Sequence, residues 1–254
     1  MADKALEPIR RHLRAIGALA YYIGVLPMLR IPTLLPFVFA TPFTILFILF
    51  VSGQKTLFAY GLAGAVTMTA TQQGLFLGAD LTNLRIEHKF QSMVVASPVS
   101  PFTYMFSVAL SELAFAVPAV FVISAIVFYT TVGFGLIALL EMTLVIILTW
   151  IMTSSIGFFL STYVLNTRTA FITVSFISIV LSVLPPVFYP ITTLPETLRT
   201  VAELVPTTHA ATLIRAVMGM PASGSQLLES WLALPAFTLV FLSLALLKAK
   251  WREP

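Results

Sequence analysis

Cysteine is absent from the 254 residues, and charge is scarce: Asp, Glu, Lys and Arg together make up 9% of the chain. The first absence excludes a disulfide framework and any thiolate metal site. Three histidines, His12, His88 and His209, stand far apart and in no ligand spacing, so no metal centre is expected. There is no paired histidine and no nucleophile–base spacing, so no catalytic residue is assigned. The scarcity of charge excludes a soluble surface, because an ordinary soluble domain carries about 25% charged residues. With 59% of the residues hydrophobic, the excess apolar surface must face lipid. The net charge of +4 does not argue for nucleic acid, since in a membrane protein the placement of Lys and Arg carries the information.

Apolar runs fall at about 32–51, 58–80, 102–130, 134–164, 170–188 and 227–247. Each is long enough to cross a hydrocarbon core of ~30 Å as a helix. Ten-residue alternation of the barrel kind is lacking. The expected architecture is therefore an all-α polytopic membrane protein with six transmembrane helices, forming one domain over 1–254. Residues 1–31 precede the first span. Arg10, Arg11 and Arg14 lead into an apolar run interrupted by Tyr21, Tyr22 and Pro27 and closed by Arg30. That pattern suits an interfacial helix on the cytoplasmic side better than a cleaved leader.

Six spans with a cytoplasmic N-terminus place Lys4, Arg10, Arg11, Arg14, Arg30, Arg85, Lys89, Arg168, Lys248, Lys250 and Arg252 inside. Only Lys55, Arg199 and Arg215 fall outside. The positive-inside rule asks for such a division, so both termini are expected in the cytoplasm of an inner or plasma membrane.

The connection over 189–226 is too apolar for a free loop and too polar for a span. Pro195 and Glu196 make a helix start, Leu198, Val201, Ala202, Leu204 and Val205 a weak apolar stripe, and Pro206 a break. Two short helices dipping into the outer leaflet, a re-entrant segment before the last span, satisfy this pattern.

The run from Leu184 to Arg215, with Phe188, Tyr189, Pro190, Leu194, Pro195, Pro206 and the closing Arg215, resembles the C-terminal signature of the ABC-2 permease family. Pro185 and Pro186 stand where that pattern usually has Gly, and Val205 where it usually has Asn. Leu29–Arg30–Ile31–Pro32 resembles the family's entry to the first span. Arg85–Ile86–Glu87–His88, leading to Ala96–Ser97–Pro98–Val99–Ser100–Pro101, resembles the cytoplasmic segment between spans two and three that docks on an ATPase. The resemblance implies a subunit that dimerises, pairs with ATP-binding cassette subunits and exports substrate by alternating access. ATP and Mg would then sit on the partner, as no G-x-x-x-x-G-K-[ST] occurs in this chain.

Within this frame, 81–101 is the expected coupling segment, with Arg85, Glu87, Phe90, Met93 and Pro98 meeting the ATPase. Ionisable groups inside spans are costly, which singles out Glu112 and Glu141 as a candidate polar site at similar depth. Asp80 is expected to be a solvated helix end. Ser111, Thr143 and Thr149 are available to satisfy the two glutamates instead. Phe188, Tyr189 and His209 mark a candidate exit region. The expected cargo is a small amphiphile, drug or lipid-like molecule, with lipid and a second copy of the chain as partners and no nucleic acid. A lipid-linked polysaccharide exporter and a stand-alone proton-coupled transporter, with Glu112 and Glu141 as relay, are the alternatives.

Overall fold

Helix formers without period-two patterning leave the backbone one way to satisfy its polar groups in an apolar setting, which is to bond within each segment. The computed structural model follows this rule: it describes residues 12–30, 53–87, 89, 101–129 and 135–248, with scattered positions between 43 and 51, and among these no strand occurs. The expected first span, 32–51, lies mostly outside the described residues.

The helices are α1 (His12–Arg30), α2 (Lys55–Ile86), α3 (Pro101–Val127), α4 (Leu136–Ser161), α5 (Thr167–Val183), α6 (Glu196–Glu203), α7 (Pro206–Val217) and α8 (Gly224–Lys248). Four of the described segments are long and apolar enough to cross a membrane: His12–Arg30, Phe106–Val127, Leu136–Ser161 and Gly224–Leu247. Thr167–Val183 is apolar but shorter. The segment expected to lie at the interface, α1, thus has the length and composition of a span. A π-turn over Tyr21–Val25 interrupts it, with the Leu26 N–H donating to the Tyr21 carbonyl. The next residue, Pro27, has no N–H to offer, which accounts for the local slip in the ladder.

α2 is the hub. It packs against α3, α4, α5 and α7, while α3 and α4 share little contact because α2 lies between them. Enclosure explains its composition: protein rather than lipid surrounds it, so Gly, Ala and Thr fill the positions where neighbouring backbones come close. A Cβ on Gly157 of α4 would sit 2.7 Å from the Leu75 carbonyl oxygen and 3.0 Å from the Gly74 carbonyl oxygen. The pair Gly74 and Gly78, four residues apart on α2, forms the other side of this seam. On α5, Ala170, Val174, Ser178 and Ser182 recur every four residues as its buried stripe, and Ala170 and Val174 meet Leu75 and Ala79 of α2.

Two short helices do occupy the 189–226 connection. Pro195 precedes α6 and Pro206 is the first residue of α7, where a missing N–H costs nothing. α7 is buried: Ala210, Leu213, Ile214 and Val217 join Leu62 and Val66 of α2, Val145 of α4 and Leu234 of α8 in the largest apolar core.

Candidate functional site

Polar side chains gather at three levels along α2, and each level ties this helix to a different neighbour. At its Ile86 end, Arg85 Nη2 donates to the Val164 carbonyl at 2.7 Å, and Thr167 Oγ1 donates to Glu87 Oε1 at 3.2 Å. Asn166 lies between these two contacts and caps α5, its Oδ1 accepting from the Arg168 and Thr169 N–H groups. Arg85 and Glu87 therefore grip the α4–α5 turn of their own chain. Phe90, Met93 and Pro98 lie outside the described residues.

One and a half turns back along α2, the Asp80 carboxyl lies beside that of Glu112 on α3. Glu112 is only 3% exposed, and next to it Ser111 packs on Gly24 of α1, where a Cβ would come within 2.7 Å of the serine Cβ. Asp80, read from sequence as a solvated terminus, is instead half-buried and paired. Glu141 stands apart from this pair on the exposed surface of α4, and α2 separates α3 from α4. Nor do the hydroxyls available to the glutamates serve them: Ser111, Thr143 and Thr149 bond to carbonyls of their own helices, at Val108, Leu139 and Val145.

At the Lys55 end, the α5–α6 connection folds onto α2 and α7. The Phe188 ring fills the space over Gly64, where an added Cβ would lie 2.7 Å from Cε1. Arg215 of α7, 9% exposed, donates through Nη2 to the Pro186 carbonyl at 3.1 Å and through Nη1 to the Tyr189 carbonyl at 3.3 Å. Its guanidinium also lies 5.2 Å from the centre of the Tyr60 ring on α2. The Tyr189 hydroxyl donates to the Leu184 carbonyl at 2.6 Å. His209 is buried and bonded at both nitrogens, with Nε2 2.8 Å from the Glu203 carbonyl and Nδ1 3.2 Å from Ser230 Oγ. A carbonyl only accepts, so Nε2 carries a proton and donates to Glu203. It stacks on Phe237, centroids 6.2 Å apart, and joins α7 to α8.

Comparison with known families finds a match over the stretch of chain that holds these elements. A model of the ABC-2 type transporter matches residues 19–219. The chain belongs to the ABC-2 type transporter family. The match takes in most of α1 and all of α2 to α7, including every contact described above except those to α8. No curated protein matches the sequence closely enough to count as a relative. As an ABC-2 permease the protein is a membrane transport component, and its family implies association with an ATP-binding cassette subunit.

Three features of this permease were not assigned from sequence. Asp80 reads as a solvated helix end because it closes an apolar run, where solvation is the ordinary outcome, and its pairing has no signal in the sequence. Arg215 reads as the closing residue of a motif and as an outer basic residue, although an arginine between Ile214 and Ala216 is a burial signal of its own. The spacing of Gly74 and Gly78 is a small-xxx-small pattern that marks close helix approach, and it was visible in the sequence.

Proposed function

We propose that this permease is the membrane half of an exporter that moves a small amphiphile or lipid-like molecule out of the cytoplasm, working as a dimer with two ATPase subunits. The observation that carries this reading is the placement of α2. At about 48 Å for 32 residues it exceeds a hydrocarbon core of ~30 Å. One end leads through Arg85 and Glu87 into the expected coupling segment, and the other holds the Phe188–Arg215 corner. Displacement of the coupling segment by an ATPase would reach α4 and α5 through the Val164 and Thr167 contacts, and the far corner through α2 itself. Phe90 and Met93 supply apolar anchors for the partner, with the nearby charges setting orientation. Arg85 and Glu87 serve this docking indirectly, by bracing the segment against the α4–α5 turn. Both termini are cytoplasmic in this reading, and α6 and α7 form the re-entrant outer segment.

The test is purification with the candidate ATPase followed by a screen for amphiphiles that stimulate hydrolysis and accumulate in inverted vesicles. An ATPase that does not co-purify, or hydrolysis that no transported compound alters, would reject the reading. A second reading, proton-coupled transport without a partner, draws on the Asp80–Glu112 pair. It requires uptake driven by a pH gradient in vesicles that hold this chain alone.

A further inference from the structure

The packed side of α1 is fixed at two points. His12 Nδ1 lies 3.1 Å from Thr103 Oγ1 at the start of α3, and further along a Cβ on Gly24 would come 2.7 Å from the Ser111 Cβ. Between these points Ala20 is buried, and Ile23 packs on the cluster of Leu77, Leu81, Tyr104 and Val108. These contacts set α1 against α3 at the level of the Ile86 end of α2. The other side of α1 is exposed among the described residues: Arg14, Gly17, Ala18, Tyr21 and Tyr22 lie there, the two tyrosines 52% and 63% exposed. Residues i, i+4 and i+8 share one face of a helix, so Arg14, Ala18 and Tyr22 stand in a row, with Tyr21 beside them. Gly17 and Ala18 add little bulk, and nothing lies within 4 Å of a Cβ at Gly17. The row thus has a shallow notch between the arginine and the two rings, over about 12 Å of helix.

An arginine costs too much to face lipid tails, and tyrosine rings beside it settle at headgroup depth. Charge selects the headgroup. No Asp or Glu stands between His12 and Arg30, and Arg10 and Arg11 directly precede α1 in the sequence. A guanidinium forks onto a phosphate, and tyrosine hydroxyls donate to its remaining oxygens. A zwitterionic lipid would bring an ammonium into this basic surround, whereas an anionic one brings no opposing charge. We propose that the Arg14–Ala18–Tyr22 face of α1 docks the headgroup of an anionic phospholipid, in the leaflet that meets the Ile86 end of α2. Occupancy bears on the bundle through Gly24, whose close approach to Ser111 leaves α1 no slack against α3. The proposal needs only the membrane placement of the chain, and it stands or falls separately from the exporter reading.

The full chain, purified in a neutral detergent, is titrated with phosphatidylglycerol and with phosphatidylcholine, and bound lipid is read by native mass spectrometry. The parent should prefer phosphatidylglycerol by about fivefold or more, the worth of one basic residue at an anionic surface. Arg14→Gln should lose that preference, and Tyr21→Phe combined with Tyr22→Phe should weaken it. Arg30→Gln, at the far end of α1, should keep it; both arginines are exposed, so neither change removes core packing. A parent without preference overturns the proposal, as do equal losses for Arg14→Gln and Arg30→Gln, the mark of diffuse attraction. A second measurement uses the lack of native cysteine. Ala18→Cys should react more slowly with a water-soluble maleimide in phosphatidylglycerol than in phosphatidylcholine, and inorganic phosphate should not protect it. Equal rates in the two lipids, or equal protection by inorganic phosphate, overturn the lipid assignment. So do disulfide-linked dimers through residue 18, which would put a second copy of the chain on this face.

Discussion

Replacing Gly157 by Ala tests the α2–α4 seam, and the structure sets both its sign and its size. In an ordinary helix the added methyl stabilises by roughly 0.5–1 kcal/mol, because glycine loses more backbone freedom on folding. At residue 157 the methyl carbon would meet the Leu75 carbonyl oxygen at 2.7 Å and the Gly78 nitrogen at 3.0 Å, both of them backbone atoms of the facing helix. Backbone cannot rotate away as a side chain would. The helices must separate by about 0.7 Å to regain ordinary contact, and overpacking of this kind typically costs 1–3 kcal/mol. The net expectation is a loss of about 1–2 kcal/mol, roughly a tenfold shift in the unfolding equilibrium. Gly17→Ala supplies the opposite sign, since nothing lies within 4 Å of a Cβ at that position on α1. Reversible unfolding of the purified chain in mixed micelles, followed by helix circular dichroism, measures both. Gly157→Ala as stable as the parent, or Gly17→Ala destabilised to the same degree, would refute the seam as described.

Other expectations follow from the polar contacts. Glu112→Gln keeps an amide able to donate to Asp80 while removing one titratable group, so yield and ATPase co-purification should hold while transport falls; unchanged transport would make the pair a structural contact only. His209→Ala removes two hydrogen bonds between α7 and its neighbours and should cost about 1–3 kcal/mol in the same unfolding assay, with an unchanged midpoint refuting the assignment. For topology, a cysteine at exposed Thr197 should react with an impermeant maleimide in intact cells, and one at Lys89 only after permeabilisation. The reverse pattern would invert the orientation.

Much of this protein follows from local chemistry. Nine per cent charge and long apolar runs dictate helices in lipid, because the backbone has no other partner there. Pro195, Glu196 and Pro206 mark helix starts whose signals lie within one turn of chain, and α6 and α7 begin there. The match to the family model agrees with motifs read in linear order. Most of the span over 32–51 and the anchors Phe90 and Met93 lie outside the described residues.

What the linear order does not hold is which groups of distant segments meet. The apolar runs place Glu112 and Glu141 within spans, but the partner of each depends on rotation and neighbour order. α2 enters between α3 and α4, gives Glu112 to Asp80 and leaves Glu141 on the surface. Arg85 likewise gives no sign in the sequence that the α4–α5 turn presents the Val164 carbonyl to it. Helix formation uses bonds four residues apart and is written in the sequence. The choice of neighbour uses contacts dozens of residues apart, and only the packed bundle, through its close backbone approaches at Gly74, Gly78 and Gly157, makes that choice.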